Sequence, residues 1–245
     1  MTGKRKSPNT ATIRYEHIDE FDPLTNNQAL AHKHWLNGKN LILSGSAGTG
    51  KTYTALHFAM EEVLERNTPY ERVVIIRSIV PTRDVGFLPG DEEEKKKAYM
   101  APYSPMLASI CNRAGAFDML TKSKVLDFES TSFIRGLTLD NTILVVDEMQ
   151  NLNFHELDSV ITRIGLNSKI IFAGDYHQSD FRVQKEKAGI KKFLNILKAM
   201  KSFETVEFGW EDIIRSDLVR DYIMTKEILE KEEQKNEKTS NRGGS

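Results

Sequence analysis

The sequence predicts an α/β domain in which a mainly parallel β-sheet is flanked by helices. Three observations support this prediction: short Val/Ile/Leu runs alternate with segments of helical periodicity, a glycine-rich segment follows the first run, and an acidic pair ends another. Nearly continuous aliphatic runs are typical of parallel strands that are covered on both faces. Their alternation with helices favours a doubly wound sheet.

The individual elements follow from these patterns. Two segments carry apolar stripes that are expected to face the core. Asn153, with Glu156 three positions later, is expected to cap the first of these two helices. The stripes are Phe154, Leu157, Val160, Ile161 and Ile164, and then Ile190, Phe193, Leu194 and Leu197. The six predicted strands are Asn40–Ser44, Arg72–Arg77, Lys124–Phe128, Thr142–Asp147, Lys169–Ala173 and Glu204–Phe208.

The length of 245 residues suits one well-buried domain and is short for two. Residues 1–14, which include Lys4-Arg5-Lys6, are expected to form a disordered basic arm. Residues 15–228 are expected to form the folded domain and residues 229–245 a flexible charged tail. The arm could contact nucleic acid, but a solvated terminus is the simpler interpretation. A single cysteine and the lack of a long apolar run favour a cytoplasmic protein with no membrane partner.

The segment Gly45-Ser46-Ala47-Gly48-Thr49-Gly50-Lys51-Thr52 matches G-x-x-x-x-G-K-[ST], between a predicted strand and a predicted helix. Its glycines let successive backbone N–H groups point into one concavity, and the helix N-terminus adds a positive partial charge. Lys51 is expected to reach the β- and γ-phosphates of a nucleoside triphosphate, and the Thr52 hydroxyl to ligate Mg²⁺. An ordinary glycine-rich turn is the alternative, which the flanking elements disfavour.

A second pattern joins the apolar run Ile143-Leu144-Val145-Val146 to Asp147 and Glu148. At the end of a parallel strand, both carboxylates would lie at the sheet edge where the phosphate loop also lies. Asp147 is then expected to hold Mg²⁺, directly or through water, and Glu148 to orient and deprotonate the attacking water. A strand that merely ends in an acidic turn is the alternative. The acidic pair predicts hydrolysis rather than binding alone.

Two glutamines complete the candidate site. Gln178 follows Gly174-Asp175-Tyr176-His177 after a buried strand, where its amide could reach the γ-phosphate; a polar turn is the alternative. Gln28 follows Leu24-Thr25-Asn26-Asn27, and its amide could pair with an adenine edge. For Gln28, the alternative is a position on a helix surface.

These elements, in this order, resemble the ATPase domain of superfamily 1 helicases. The chain also contains motifs similar to the Gly-Phe-Leu-Pro-Gly, Arg-Gly-x-Thr and Asp-Glu-Ala-Gln-Asn motifs of the PhoH family. They are Gly86-Phe87-Leu88-Pro89-Gly90, Arg135-Gly136-Leu137-Thr138 and Asp147-Glu148-Met149-Gln150-Asn151. The resemblance covers roughly residues 22–225, and its departures, Met149 and Tyr176-His177, supply no catalytic group. It implies a single RecA-like P-loop NTPase domain that hydrolyses ATP with Mg²⁺.

The resemblance extends to Asp212-Ile213-Ile214-Arg215-Ser216-Asp217-Leu218-Val219, which matches an Asp-x-x-Arg-x-x-Leu-Val signature. The signature implies that Arg215 projects, and its guanidinium fork could stabilise charge that develops on the γ-phosphate. A surface or salt-bridged arginine is the alternative. Arg77 and Arg135 are weaker candidates for phosphate or nucleic-acid contacts. The residues expected to face the core are Ile213, Ile214, Leu218 and Val219.

Only 37 residues follow Phe208, so a second core of the kind that two-domain helicases use is not expected. A neighbouring copy would then have to complete the site. The resemblance supports a homo-oligomeric ring, expected to be a hexamer, with Arg215 reaching across the subunit boundary. It also suggests a bacteriophage source, because compact members without a nuclease domain are frequent there.

Two functions stay open at this point. The first is an ATPase or helicase directed at RNA or single-stranded nucleic acid, with Arg83, Lys95-Lys96-Lys97, Lys122 and Lys124 near a pore. The second is an ATP-dependent assembly switch that acts on a protein partner without nucleic acid. The helicase-like motifs favour the first, and the net charge of −1 slightly favours the second. A metabolic kinase is disfavoured because Glu148 beside Asp147 suits water as the acceptor.

Overall fold

The computed structural model describes residues 12–78, 99–131, 134, 136–175 and 184–240. Its centre is a six-stranded sheet with the strand order β3-β2-β4-β5-β1-β6, in which all five neighbouring pairs are parallel. Because β5 separates β1 from β4, the sheet has the arrangement of a RecA-like P-loop domain, and the predicted fold class is confirmed. The strands are β1 (Asn40–Gly45), β2 (Arg72–Arg77), β3 (Leu126–Ser130), β4 (Thr142–Val146), β5 (Lys169–Gly174) and β6 (Phe203–Phe208).

Helices cover both faces of the sheet and create two hydrophobic clusters. One cluster packs the first four helices against alternate strand residues such as Leu41, Leu43 and Val145. The other packs the fifth and sixth helices against the intervening residues, such as Ile42 and Val146. The helices are α1 (Asn26–Leu36), α2 (Lys51–Leu64), α3 (Tyr103–Ile110), α4 (Ala116–Lys122), α5 (Phe154–Ile161), α6 (Gln184–Ala199) and α7 (Asp217–Ser240). None of the described helices combines the length and hydrophobicity needed to cross a bilayer.

All six predicted strands are present, and only β3 is displaced, by two residues. Lys124 adopts a left-handed conformation with φ of 61° and belongs to the turn after α4. The backbone N–H of Val125 donates to the carbonyl of Leu120, so Val125 also belongs to that turn. The strand therefore begins at Leu126.

The two helical stripes face the core as predicted. Leu157 and Val160 of α5 and the four α6 residues are buried in the second cluster, and the other stripe residues of the first segment pack against it. The capping box is confirmed as well. The Asn153 side chain accepts from the backbone N–H of Glu156 at 3.1 Å, and the Glu156 carboxylate accepts from that of Asn153 at 2.9 Å.

The ends of the chain differ from the expectations. Of the predicted basic arm, residues 1–11 lie outside the described residues, whereas Ile13 is buried in the first cluster. The segment predicted as a flexible tail belongs to α7, which continues past residue 228 to Ser240. Near residue 228, Lys226 and Glu230 form an ion pair across one turn of this helix at 3.6 Å. Charged pairs at this spacing support an exposed helix.

Three of the four apolar residues that were expected to face the core around Arg215 are instead exposed. Ile213 is buried, but Leu218 is 80% exposed, and Ile214 and Val219 are also exposed. The physical reason is that α1–α4 and the α5–α6 pair already cover the two faces of the sheet. The helix α7 contacts the phosphate loop instead, through Ile223 and Glu227. The prediction for Ile214, Leu218 and Val219 was wrong.

His57 of α2 lies inside an aromatic cluster, with its ring centroid 5.1 Å from that of Phe21 and only 3% of its surface exposed. Burial, and after it the neighbouring His32, lowers the pKa of His57 below its ordinary value of 6.5, while contacts with Asp19 oppose the shift. The folded chain therefore favours the neutral imidazole.

This shift predicts a loss of stability in mild acid. Above the unfolded pKa the imidazole is neutral in both states; as the pH falls through that value, the unfolded chain binds the proton first, and the free energy of unfolding decreases. We expect the Tm of the wild type to fall more between about pH 7.5 and about pH 5.5 than that of His57→Phe. Exposed His155→Gln is the control, and equal falls in wild type and His57→Phe would contradict the prediction.

Candidate nucleotide-binding site

The loop between β1 and α2 has the geometry of a phosphate-binding loop. Positive φ angles of 127°, 74° and 81° occur at Gly45, Gly48 and Gly50, where L-residues would be strained. A side chain at Gly45 would also collide with the carbonyl of Phe208 on β6. The helix α2 begins at Lys51, so its N-terminus is directed at the concavity of the loop.

The Lys51 ammonium group lies inside this concavity. Its Nζ donates to the carbonyl oxygens of Gly45 at 2.9 Å and Ser46 at 2.6 Å, and to the Thr49 hydroxyl at 3.2 Å. An ammonium has three donors, so all of them are satisfied by the loop itself. Burial lowers the pKa of Lys51, and the nearby carboxylates, Asp175 first, oppose that shift. A bound phosphate would give the Lys51 ammonium negatively charged oxygen partners in place of the neutral carbonyl oxygens of the loop.

Asp147 immediately follows β4 and accepts two hydroxyl hydrogen bonds. The Thr52 hydroxyl donates to Oδ1 at 2.7 Å, and the Tyr103 hydroxyl donates to Oδ2 at 2.8 Å. The structure thus brings together the two residues that were predicted to hold Mg²⁺. Tyr103 was not anticipated. Burial raises the pKa of Tyr103 well above its usual range, with the Asp147 charge as the next cause, so the phenol stays protonated.

Glu148 lies beside Asp147 in an unusual backbone conformation. Its φ of 51° is left-handed for a residue that is not glycine, which typically costs about 1–3 kcal/mol and is often found at functional sites. The Gln150 side chain donates to the Glu148 carboxylate and accepts from the backbone N–H of Asp175 at 3.0 Å. Gly174 leaves room for this amide, because a Cβ there would collide with it. Gln150 therefore holds Glu148 against the end of β5.

Gln28 is buried at the other side of the loop rather than on a helix surface. Its Oε1 accepts from the backbone N–H of Leu24 at 2.9 Å, and its Nε2 donates to the carbonyl of Thr49 at 3.4 Å. The residue thus connects the segment before α1 to the phosphate loop. The second contact is long, so this donor is the more easily redirected to a ligand.

Arg215 lies over the phosphate loop of its own chain. The Ile214 N–H donates to the carbonyl of Gly48 at 3.1 Å, and a Cβ on Gly48 would lie 3.1 Å from Cγ of Arg215. Asp212 fixes this segment, since its carboxylate accepts from the Asn27 side chain at 2.7 Å and from the Gly209 N–H at 2.8 Å. This placement favours action within one subunit, and the expected reach of Arg215 across a subunit boundary stays a prediction.

A buried carboxylate of α7 contacts the same loop. One oxygen of Glu227 accepts from the Ser46 hydroxyl at 3.1 Å and from the Trp210 indole N–H at 2.7 Å. Ile223, one turn earlier, packs against Gly48, where a Cβ would lie 3.3 Å from its Cδ1. The sequence gives no short-range signal for this contact, because Ser46 and Glu227 are separated by 181 positions.

Removal of this carboxylate has a predictable cost. In Glu227→Ala, the Ser46 hydroxyl and the Trp210 indole lose a shared buried acceptor, and we expect the free energy of unfolding to fall by about 1–3 kcal/mol in denaturant titrations. Glu230→Ala on the same helix breaks only the exposed pair with Lys226 and should cost less than about 1 kcal/mol. Equal costs for the two variants would contradict the buried role of Glu227.

A cavity of about 820 Å³ lies at the phosphate loop. Its lining includes Gln28, the loop from Ala47 to Thr52, Asp147, Glu148 and Arg215. The structure thus brings together the predicted site residues that it describes, of which Gly45 and Ser46 belong to the loop without lining the cavity. Gln178 and the weaker candidate Arg135 lie outside the described residues.

The family model described as PhoH-like protein matches residues 20–227, which is most of the chain. The chain belongs to the PhoH family. Among PhoH proteins, "Protein PhoH2" of Bacillus subtilis (strain 168) is 37% identical over 144 residues, covering 57% of this chain and 32% of that protein. A "PhoH-like protein" of Synechocystis sp. is 32% identical over 177 residues, covering 72% of this chain and 53% of that protein.

The chain therefore spans about a third to a half of the length of these PhoH relatives. Among solved structures, the large terminase of a thermophilic bacteriophage is similar with a TM-score of 0.49 and 14% identity, covering 82% of this chain and 50% of that one. A likeness of this degree supports no argument about function. The function of this PhoH protein is therefore argued from the residues of its own site.

Proposed function

We propose that this chain is a Mg²⁺-dependent ATPase that hydrolyses ATP in the cavity at the Gly45–Thr52 loop. The observation that carries the proposal is the convergence of four groups at one end of the sheet. They are the Lys51 ammonium, the Thr52 hydroxyl, the Asp147 carboxylate and the Glu148 carboxylate. A loop that bound phosphate without hydrolysis would not require Glu148, strained and hydrogen-bonded, beside the Asp147 carboxylate.

The oxygen ligands fit Mg²⁺. This ion is usually held by one or two protein oxygens, waters and substrate phosphates, and Thr52 Oγ1 and Asp147 Oδ1 lie 2.7 Å apart at the mouth of the loop. Bound Mg²⁺ would neutralise charge between the β- and γ-phosphates. The other contributions to hydrolysis come from the protein side chains.

The roles of these side chains follow from their positions. Lys51 exchanges its contacts with the loop carbonyls for the β- and γ-phosphates, and the N–H groups of the loop bind the same oxygens. Glu148, held by Gln150, orients the attacking water and accepts its proton. Arg215 lies at Gly48 and stabilises charge on the γ-phosphate of its own subunit. Gln28 contacts the loop from the side on which the base would lie.

We further propose that hydrolysis is coupled to RNA or single-stranded nucleic acid in a homo-oligomeric ring, with a hexamer as the expected assembly. The helicase-like motifs support the nucleic-acid partner. The exposed face of α7 supports the assembly, because Leu218, Tyr222 and Leu229 share one side of the helix and are 80%, 67% and 53% exposed. Exposed apolar patches of this kind mark interaction surfaces.

The second candidate is an assembly switch that acts on a protein partner without nucleic acid, and the net charge of −1 favours it. The two functions differ in their response to nucleic acid. We expect single-stranded RNA to stimulate ATP hydrolysis, with a stimulation that falls steeply as salt increases. Unchanged hydrolysis at low salt would favour the assembly switch. A mass measurement of the assembly, with and without Mg²⁺ and ATP, tests the ring.

A further inference from the structure

The buried Tyr103 hydroxyl contacts the Asp147 carboxylate, which is proposed to hold Mg²⁺. Its side chain is 1% exposed, and its hydroxyl donates to Asp147 Oδ2 at 2.8 Å. Arg77, the last residue of β2, is near enough to act on this phenol electrostatically. Because an ionised carboxylate can only accept, the hydroxyl directs its single proton at Asp147.

Because the Tyr103 hydroxyl proton is directed at Asp147, the two carboxylate oxygens of Asp147 have different partners. Oδ2 is held by the Tyr103 proton, and Oδ1 is turned toward Thr52, 2.7 Å from its hydroxyl. A carboxylate with one oxygen held in this way cannot rotate freely about its last torsion. Its other oxygen stays directed at the position where a cation would meet the loop.

We propose that Tyr103 is a positioning residue that holds the Asp147 carboxylate so that Oδ1 stays directed toward Thr52, where the proposed Mg²⁺ would be held. This inference rests on the proposed Mg²⁺-dependent ATPase. Partners of this kind around metal ligands typically contribute about 10–100-fold to metal affinity. Tyr103 is the first residue of α3, so the proposal also gives that helix a role at the site.

The test is Tyr103→Phe, which keeps the buried ring and removes only the hydroxyl. Affinity for a fluorescent ADP analogue is measured in EDTA and in increasing Mg²⁺. We expect the affinity in EDTA to be unchanged and the Mg²⁺ concentration at half-maximal enhancement to rise by about 10-fold. Tyr70→Phe, a partly buried tyrosine packed against the same hydrophobic cluster, is the matched control and should leave both quantities unchanged.

An unchanged Mg²⁺ response in Tyr103→Phe overturns the proposal, and so does an equal loss in EDTA and in Mg²⁺, because that result assigns the hydroxyl to packing. A double-mutant cycle adds a readout that packing alone would not move. In the Asp147→Asn background, Tyr103→Phe should produce no further change in the Mg²⁺ response. If the wild type binds no nucleotide, the ATPase proposal itself fails; if it binds normally and only the tyrosine is without effect, the failure is limited to Tyr103.

Discussion

Replacing Arg215 by alanine is expected to lower the rate of ATP hydrolysis by about 10³-fold or more, as removal of an arginine finger does. The reason is that its guanidinium, placed over Gly48, would contact the γ-phosphate most strongly when charge develops there. Binding of Mg²⁺ and a non-hydrolysable ATP analogue should be retained, since Lys51 and the loop N–H groups remain. Turnover and binding measured on the same preparation check both statements. Arg220→Ala, an exposed arginine on α7, should hydrolyse ATP at the wild-type rate.

A mixture of two inactive variants distinguishes action within a subunit from action across a boundary. Arg215→Ala subunits keep a functional loop, and Lys51→Ala subunits keep the arginine. If Arg215 serves its own subunit, as its position suggests, the mixture regains no activity. Recovery of activity, up to the fraction of mixed interfaces, would show that the arginine reaches a neighbouring subunit.

Glu148→Gln is expected to keep ATP bound but to lower turnover by about 10²–10⁴-fold, because the amide cannot accept the proton of the attacking water. The substitution is nearly isosteric, and the amide can still bond with Gln150. The prediction is checked by single-turnover hydrolysis together with nucleotide affinity.

The control for this variant is Glu71→Gln, an exposed glutamate just before β2 at the opposite edge of the sheet, where it accepts from Asn141. It should leave turnover unchanged. Near-normal turnover in Glu148→Gln would remove Glu148 from the mechanism and would leave Asp175 as the next carboxylate to examine, since it lines the same cavity.

Local patterns in the sequence predicted the strands and the loop because both are encoded by neighbouring residues. The aliphatic runs of β1, β2, β4 and β5 mark strands that are covered on both faces, and the Gly45–Thr52 spacing marks a loop whose backbone needs glycine. Even the cap of α5 was predictable, since Asn153 and Glu156 are three positions apart. The burial of Gln28 supports its predicted place at the site, although the base it would contact stays a prediction.

Contacts between distant residues were not predictable in this way. Tyr103 is 44 positions from Asp147, and Glu227 is 181 positions from Ser46, so no spacing rule connects them. The exposed residues of α7 illustrate a second limit. Apolar residues such as Leu218 indicate a helix face that packs against another surface. Periodicity does not show whether that surface belongs to the core of the same chain or to another molecule.

The central claim is that the Gly45–Thr52 loop binds the phosphates of ATP through its main-chain N–H groups and Lys51. Calorimetric titration of the folded wild type with a non-hydrolysable ATP analogue in the presence of Mg²⁺ tests it most directly. We expect saturable heat of binding that is lost in Lys51→Ala. Absence of binding heat across a range of temperatures, in wild-type protein whose fold is verified by circular dichroism, would contradict the account.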